Sequence, residues 1–493
     1  MNFKLSCIAA ALCVVGSAAM ATPLSPNAPL SDYTTGTTDI YIAGSSAVDL
    51  ALTKFIANTC APNTLDTYRT DAGGKTYYLW TCAAGASSSW GTANSKIAIH
   101  KNTNSSSDGV LAVSNNTSLA FLQVSDLTGA SSCAISPTVV AATGTIPSYN
   151  LYLCGTSAGN AGVGTLQHAP RFGFADSEPK QFGTVSNLTT VYPLSIVFGI
   201  PVSKNVRDTL QASQNLPVGG ESEADMPSLT TTQINSIFTG NFSSWSDLGI
   251  TVSASDNAIY RVRRSNGSGT TRAFDVTFIG DFCTPGANAI SPATALVTAT
   301  IPQQCNSVGN GGNLTLQAGT SDDMAACVAG FQTSGGVGAI GYLSTDYLPG
   351  TSDNYRWVKV DGYAPKLLNV ANGSWKDWSE ESLNYNKVPA LSGDDSKFFL
   401  AIKATSASAA LMSEIAQNQP QTTSGLWTGG VMGALPTNHS GAGWGVAPSA
   451  AALLAGRTDA SVLANPANMA TRNGTSGYNL CNVPTPVSGF QAQ

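Results

Sequence analysis

Apolar, strand-like runs alternate with helix-like stretches along most of the chain, a pattern typical of α/β proteins. In four places an apolar run leads into a loop of glycine and small hydroxyl-bearing residues; these runs cover 39–43, 96–99, 171–175 and 259–263. After the first run, the spacing of apolar residues predicts a helix with one apolar face, formed by Val48, Leu52, Phe55 and Ile56. The pattern therefore predicts a mixed α/β fold built from strand–loop–helix units.

The four loops share a composition suited to holding an anion. They comprise residues 44–46, 104–109, 176–179 and 264–271. In open α/β sheets, ligands bind beyond the carboxyl ends of the strands, where helix N-termini offer unpaired N–H groups. Serine and threonine hydroxyls donate hydrogen bonds, glycine lets the backbone approach closely, and Arg264 carries a permanent positive charge. Each loop alone is also typical of an ordinary turn or cap, but together they predict a pocket for a tetrahedral anion.

Composition and charge exclude several function classes. The chain has 493 residues, which predicts two or three domains, and only 11% of them are charged, against roughly 25% in an average protein. The net charge is −6, so we expect no nucleic-acid partner. With three histidines in the chain, we expect no metal site and no cofactor.

The N-terminal segment has the features of a signal peptide. Lys4 precedes the apolar run 8–15, and Ala19-Met20-Ala21 supplies small residues for cleavage. We therefore predict a signal peptide over 1–21 and export to the periplasm or the cell exterior. The apolar run is too short to span a membrane, and we expect no membrane span in the mature chain. A lipoprotein would use Cys13, but residues 10–12 match the required motif poorly.

Eight cysteines follow the predicted signal peptide, and none lies in a CxxC motif. An even number of cysteines in an exported protein indicates disulfides rather than a thiolate metal site. Pairing between neighbours in sequence predicts Cys60–Cys82, Cys133–Cys154 and Cys283–Cys305, and leaves Cys327–Cys481.

Several segments carry a family resemblance. The stretch 264–271 (RSNGSGTT) resembles the phosphate loop of the periplasmic phosphate-binding proteins of ABC transporters, the PstS-type members of the type 2 solute-binding proteins. Segments 229–240, 245–248, 172–176 and 336–342 resemble that family in the same order. The resemblance implies a type II periplasmic-binding-protein fold with two hinged lobes, one formed by 22–197 plus 398–493 and the other by 198–397. Strands crossing between the lobes are expected near 193–198 and 398–402.

The resemblance also implies a role for each residue of an inorganic phosphate site. Ser46 and Ser107 would donate hydroxyl hydrogen bonds, Arg264 would pair with the anion, and Asp176 would accept a hydrogen bond from a protonated phosphate oxygen. Backbone and hydroxyl donors at the start of a helix would come from Ser268, Gly269 and Thr270. Sulfate carries no proton near neutral pH, so the Asp176 carboxylate would reject it.

The chain departs from the family in two site positions and in length. Asn266 stands where the family usually has an aspartate that steadies the arginine, and Asp108 stands where the family tends to glycine. The extra length lies mainly around 57–95, 125–165, 280–320 and after about 405.

Three functions follow from these observations. The leading hypothesis is a non-catalytic, monomeric solute-binding protein that captures inorganic phosphate for an ABC permease. The second keeps the fold for phosphate scavenging or contact by a secreted or cell-surface protein. An enzyme is the third, because residues 155–159 (GTSAG) match the G-x-S-x-G nucleophile motif.

Overall fold

The protein is described from a computed structural model. The described residues are 33, 37–72, 75–85, 95–127, 133, 138–142, 146–154, 166–183, 185–280, 302, 305–307, 315–333, 336–417, 431–433, 444, 458–464, 466, 470–474, 477–478, 481–482 and 485–486. The predicted signal peptide (1–21) and the G-x-S-x-G segment (155–159) lie outside them.

Strands and helices alternate through the described residues, which confirms the mixed α/β class. The strands are β1 Thr38–Gly44, β2 Asp66–Ala72, β3 Lys75–Ala83, β4 Lys96–Thr103, β5 Leu119–Phe121, β6 Thr138–Val140, β7 Tyr149–Leu153, β8 Leu166–His168, β9 Phe172–Ala175, β10 Leu188–Ser203, β11 Ser228–Leu229, β12 Tyr260–Arg264, β13 Cys305–Ser307, β14 Thr315–Ala318, β15 Ala339–Ile340, β16 Leu343–Ser344, β17 Tyr355–Val360, β18 Trp378–Asn386, β19 Val431–Gly433, β20 Ala470–Thr471, β21 Asn473–Gly474, β22 Gly477–Tyr478 and β23 Thr485–Pro486.

Helices follow or connect these strands, and several of them begin directly after the loops discussed below. They are α1 Asp49–Thr59, α2 Val113–Asn115, α3 Val124–Leu127, α4 Lys204–Ser213, α5 Thr231–Phe238, α6 Gly269–Phe274, α7 Ser321–Thr333, α8 Leu367–Ala371, α9 Gly393–Ser406, α10 Ala409–Gln417 and α11 Asp459–Ala464. One π-helical turn, Asp108–Ala112, leads into α2, and another, Asp275–Ile279, extends α6.

The strands form two groups that share the long strand β10. In the first group β1 lies between the parallel strands β4 and β9, and β9 pairs with β18. Beyond β4 the sheet continues through β3, β2 and β7. Residues 188–197 of β10 pair with β18. The register shifts between Val191 and Leu194, where Pro193 has no N–H to donate.

The second group is built on the other half of β10. Residues 200–203 pair with β17, and Val202 also pairs with Ile340 of β15. β12 runs parallel to both β14 and β15. β10 therefore pairs with strands of both groups; whether residues 193–198 cross between two lobes stays a prediction.

The other expected crossing strand is wrong. Residues 398–402 lie in helix α9, in which Phe398, Ala401 and Ile402 are buried at helical spacing. Pairing of β18 with both β9 and β10 puts residues 378–386 in the first group instead.

Disulfides connect neighbouring elements. The predicted pairs Cys60–Cys82 and Cys133–Cys154 are confirmed. The predicted pairs Cys283–Cys305 and Cys327–Cys481 are wrong, because Cys305 of β13 is bonded to Cys327 of α7. Cys481 is also disulfide-bonded, and Cys283 lies outside the described residues.

Apolar residues of both groups are buried beneath the helices. Ile40, Ile42 and Phe172 pack with the apolar face of α1, whereas Val262 and Leu316 pack with α7 in a second cluster. In the described part of the chain no single helix is long and apolar enough to cross a membrane, and α9 with α10, bent by 82°, passes that test only as a pair.

Candidate anion-binding site

Three parallel strands of the first group end side by side. Gly44 at the end of β1 lies opposite Thr103 of β4 and Phe174 of β9. The residues that follow β1, β4 and β9 therefore lie at one edge of the sheet, as expected for parallel strands. This edge brings together the loops at 45–46, 104–107 and 176–177.

Two parallel strands of the second group end together in the same way. Arg264 at the end of β12 lies opposite Ala318 of β14. After β14, Thr320 and Asp323 exchange hydrogen bonds with each other's backbone N–H groups and cap α7, which begins at Ser321. The second group therefore delivers the 264–271 loop and the start of α7.

The loops of the two groups contact one another directly. Asp176 accepts hydrogen bonds from Ser45 Oγ of its own group and from Thr270 Oγ1 of the other, the latter at 3.1 Å. The Ser107 N–H donates to the Gly267 carbonyl at 3.0 Å. Of the predicted site residues, Ser46, Ser107, Asp176 and Ser268 lie in these loops. Arg264 is the last residue of β12, and Gly269 and Thr270 begin α6.

Glycines let the backbones approach at this meeting point. A Cβ on Gly173 would lie 1.9 Å from the Gly109 carbonyl oxygen, and a Cβ on Gly269 would lie 2.8 Å from the Asp176 Cβ. Gly44 has a φ of +117°, and a Cβ there would lie 2.0 Å from the Phe174 carbonyl oxygen. The close packing of these loops therefore requires glycine at these positions.

Arg264 is the buried cation of the site. It is 4% exposed, and its Nη1 donates to Ser321 Oγ at 2.8 Å. Ser321 Oγ in turn lies 3.2 Å from Ser46 Oγ. Arg264 Nε is buried without a hydrogen-bond partner among the described residues. Burial is the main cause of the lowered pKa of Arg264, and the nearby acidic groups of Asp176, Asp322 and Asp323 partly oppose it.

Asp176 lies beside a second buried carboxyl group, that of Glu381 on β18. Burial is the main cause of the raised pKa of Asp176, and hydrogen bonds and the Arg264 charge oppose it. Burial and the neighbouring Asp176 raise the pKa of Glu381 well above its ordinary value. Two carboxyl groups this close favour one proton between them. Asp176 and Glu381 therefore form a buried carboxyl pair in which both pKa values are raised.

The buried ion pair between Lys101 and Asp49 lies next to the loop at 45–46. Lys101 of β4 is fully buried and donates to the Asp49 carboxylate, the Ser45 carbonyl and Thr103 Oγ1. Burial raises the pKa of Asp49, and Lys101 partly offsets that effect. The pair ties the start of α1 to β4 and fixes the position of Ser45 and Ser46.

The structure places each predicted residue at this meeting point. Ser46 and Arg264 line a cavity together, whereas Asp176, Ser268 and Thr270 are buried and do not line it. Ser107 Oγ lies 2.7 Å from Ser105 Oγ, and Gly269 packs on Asp176. Which of these residues contact an anion stays a prediction.

The two departures from the family pattern have partners of their own. Asn266 accepts a hydrogen bond from Arg263 at 2.7 Å rather than from Arg264. Asp108 accepts one from Asn104 at 2.6 Å. Within the described part of the chain, neither the Asn266 nor the Asp108 side chain is hydrogen-bonded to Arg264.

Sequence reasoning missed Ser321, Lys101, Asp49 and Glu381. Ser321 had a signal, because the alternating segment 314–318 (LTLQA) is followed by Thr320 and, three residues later, by Asp323, which is a helix-start pattern. No sequence signal marks Lys101, Asp49 and Glu381 as buried, because most charged residues are exposed.

The cavity has a volume of about 290 Å³. Besides Ser46, Arg264 and Ser321, its walls include Arg69, Asp322 and Asp346. Arg69 Nη2 bonds Asp322 Oδ2 at 2.6 Å, which joins β2 of the first group to α7 of the second. Burial raises the pKa of Asp346 to about 7.

No protein-family profile matches the chain. Solved structures to which it is similar include a Clostridium perfringens protein assigned as a phosphate ABC transporter substrate-binding protein and crystallised with phosphate (18% identity, 78% of this chain and 98% of that one, TM-score 0.42). Others are the phosphate-binding protein from Stenotrophomonas maltophilia (14%, 71% and 79%, 0.35) and PstS from Borrelia burgdorferi (9%, 78% and 97%, 0.33). All three TM-scores are below 0.5, so the function of this chain has to be inferred from the site itself.

Proposed function

We propose that this protein is an exported solute-binding protein that captures inorganic phosphate between its two groups of strands. The observation that carries the proposal is Arg264, a buried guanidinium that donates a hydrogen bond to a neutral hydroxyl. The nearby carboxyl groups of Asp176, Asp322 and Asp323 offset only part of the cost of burying its charge, and an anion bound at the cavity would offset more of it. Hydroxyls of Ser46 and Ser321 lie beside it to complete the coordination.

The lobes of the proposed binding protein follow the strand groups. One contains the chain before the middle of β10, and the other contains residues from about 198 onwards. Sequence resemblance puts the return to the first lobe at 398, whereas the pairing of β18 favours a return at 378. The proposed hinge lies at the middle of β10 and just before β18, where the chain passes between the groups.

Asp176 is proposed to select phosphate over sulfate. Its carboxylate accepts hydrogen bonds, so it would accept one from a phosphate oxygen that carries a proton, while a fully deprotonated sulfate would face repulsion. The physiological role proposed is delivery of phosphate to ABC permease subunits after export through the signal peptide over 1–21. The chain is proposed to act as a monomer in the periplasm or outside the cell, without catalysis.

Calorimetric titration of the phosphate-free protein with phosphate and sulfate tests the proposal. We expect phosphate to bind, and Arg264→Ala to weaken binding by about 100-fold or more, because the anion loses its buried charge partner. Arg263→Ala is the matched control, because Arg263 immediately precedes Arg264 but donates to Asn266 and does not line the cavity. Absence of phosphate binding, or equal binding by the Arg264→Ala variant, would refute the proposal.

A further inference from the structure

The cavity beside Arg264 is larger than inorganic phosphate requires. At the roughly 30 Å³ that a water molecule occupies in the liquid, the five non-hydrogen atoms of phosphate fill no more than about 150 Å³. The cavity measures about 290 Å³, which is close to the lower end of the range for small organic ligands. About half of the space therefore remains for another part of a ligand.

The additional space lies over one face of the extended first sheet. Cavity-lining residues alternate along the strands: Thr67 and Arg69 on β2, Thr76 and Tyr78 on β3, Tyr149 and Leu151 on β7. Alternate residues of a strand share a face, and Thr67 is paired with Leu151 and Arg69 with Tyr78. Together with Thr103 of β4, these residues form a continuous surface, here called the sheet floor.

The sheet floor reaches well beyond the anion end of the cavity. Its strands follow in the order β4, β3, β2 and β7, so three interstrand spacings of about 4.8 Å separate the outer two, or about 14 Å in total. Arg264, Ser46 and Ser321 lie at the ends of the parallel strands instead. A ligand that fills the cavity therefore has an anionic end at Arg264 and a second portion over the sheet floor.

The chemistry of the sheet floor indicates an uncharged, hydroxylated portion. Thr67 is 1% exposed, and its Oγ1 has no hydrogen-bond partner within the described ranges, although the residue lines the cavity. Arg69 does not call for a second anion, because its guanidinium is paired with Asp322 at 2.6 Å. Tyr78, whose ring is stacked on Trp80 at 5.0 Å, and Tyr149 add aromatic side chains to the lining, which suits the carbon skeleton of a sugar or polyol.

We propose that the site accepts a phosphomonoester of a sugar or polyol, with the phosphoryl group at Arg264 and the hydroxylated portion on the sheet floor. This inference rests on the proposed anion site and deepens it, because the ligand class becomes a phosphate ester rather than free phosphate alone. Thr67 Oγ1 is the hydrogen-bonding group that distinguishes the ester from inorganic phosphate.

Calorimetry of the phosphate-free full chain tests this with inorganic phosphate, glucose 6-phosphate, glycerol 1-phosphate and glucose as probes. We expect at least one ester to bind about 10-fold or more tightly than inorganic phosphate, and glucose to bind far more weakly. Thr67→Val should weaken ester binding about 5- to 10-fold while inorganic phosphate affinity stays within twofold. Thr251→Val, at an exposed threonine away from the cavity, is the control and should change neither.

A second variant keeps the test decisive if Thr67→Val folds poorly. Leu151→Trp adds bulk on the sheet floor and should exclude the esters while inorganic phosphate still binds. Phosphate binding with both esters at least 10-fold weaker would overturn this inference and leave the proposed function intact. Equal loss of ester and phosphate affinity in both variants would also overturn it. Failure of phosphate and both esters to bind would overturn the proposed function and this inference together.

Discussion

At the residue scale, the site depends on a few buried charges held in fixed surroundings. Arg264, Asp176 and Lys101 are each at most 4% exposed, and each is bonded to a residue in the first turn of a helix far away in sequence. Buried charges are retained where they are compensated, either within the protein or by a ligand. Lys101 is paired directly with Asp49, whereas Arg264 hydrogen-bonds the neutral Ser321 hydroxyl and has the Asp176 carboxyl group only as a charged neighbour.

Asp66 provides a residue-scale prediction that does not depend on the ligand. It is 1% exposed, Asn150 donates to its Oδ1 at 2.8 Å, and burial raises its pKa to about 7. The folded state therefore holds this proton more tightly than the unfolded chain. Its contribution to stability is full below about pH 4 and is lost as the pH rises through about 7.

Asp66→Asn should remove this part of the pH dependence. We expect the fall in the free energy of unfolding between pH 4.5 and pH 8 to shrink by about 3 kcal/mol, because most of the range between the usual pKa and the pKa of about 7 lies inside this interval. Urea unfolding at both pH values measures it. Asp361→Asn, at an exposed carboxylate, is the control. An unchanged difference between the two pH values in Asp66→Asn would contradict the assignment.

Sequence could identify some of these residues and not others. Arg264 and Asp176 follow apolar runs directly, so the end of each predicted strand marks them. Glu381 lies inside a strand, and its burial follows from pairing with β9 and β10, which are distant in sequence. The residues around Glu381 in the sequence do not indicate which strands β18 pairs with.

At the element scale, the site forms where parallel strands end together and their loops pack through glycine. The predicted strands near 39–43, 96–99, 171–175 and 259–263 correspond to β1, β4, β9 and β12. Their parallel pairing aligns Gly44 with Thr103 and Arg264 with Ala318. Gly173 and Gly109 then let β9 and the π-helical turn Asp108–Ala112 approach without side chains between them.

Gly173→Ala tests this packing. An added Cβ would lie 1.9 Å from the Gly109 carbonyl oxygen, so the backbone of one element has to move. We expect a loss of at least about 3 kcal/mol in the free energy of unfolding, measured by urea denaturation. Gly350→Ala is the matched control, because the added Cβ would approach no closer than 3.4 Å to Asp353. A Gly173→Ala variant as stable as that control would show that the close approach is not a constraint.

The errors at this scale have physical causes. Cys305 lies 22 residues from Cys327 and 22 from Cys283, so loop-closure entropy does not distinguish the two pairings. The pairing is decided by β13 lying next to α7. The apolar run 398–402 is short enough to fit either a strand or a helix. Asp394 and Asp395 before it were the available helix-start signal.

At the scale of the whole molecule, β10 joins the two groups of strands, and the site lies where their loops meet. The first group supplies Ser45, Ser46 and Asp176, and the second supplies Arg264 and Thr270. Neither group holds a complete anion site by itself. In the proposed function, capture of an anion would therefore be coupled to the approach of the two groups, which the Thr270–Asp176 hydrogen bond connects.

A crystal structure of the protein with bound phosphate is the decisive experiment on the proposed site. We expect a tetrahedral anion within hydrogen-bond distance of the Arg264 guanidinium and the Ser46 hydroxyl, bounded by loops from both groups of strands. Arsenate, a tetrahedral anion of similar charge, marks the position by its anomalous scattering. Phosphate bound elsewhere, or an Arg264 that still bonds Ser321 alone at saturating phosphate, would refute the proposed site.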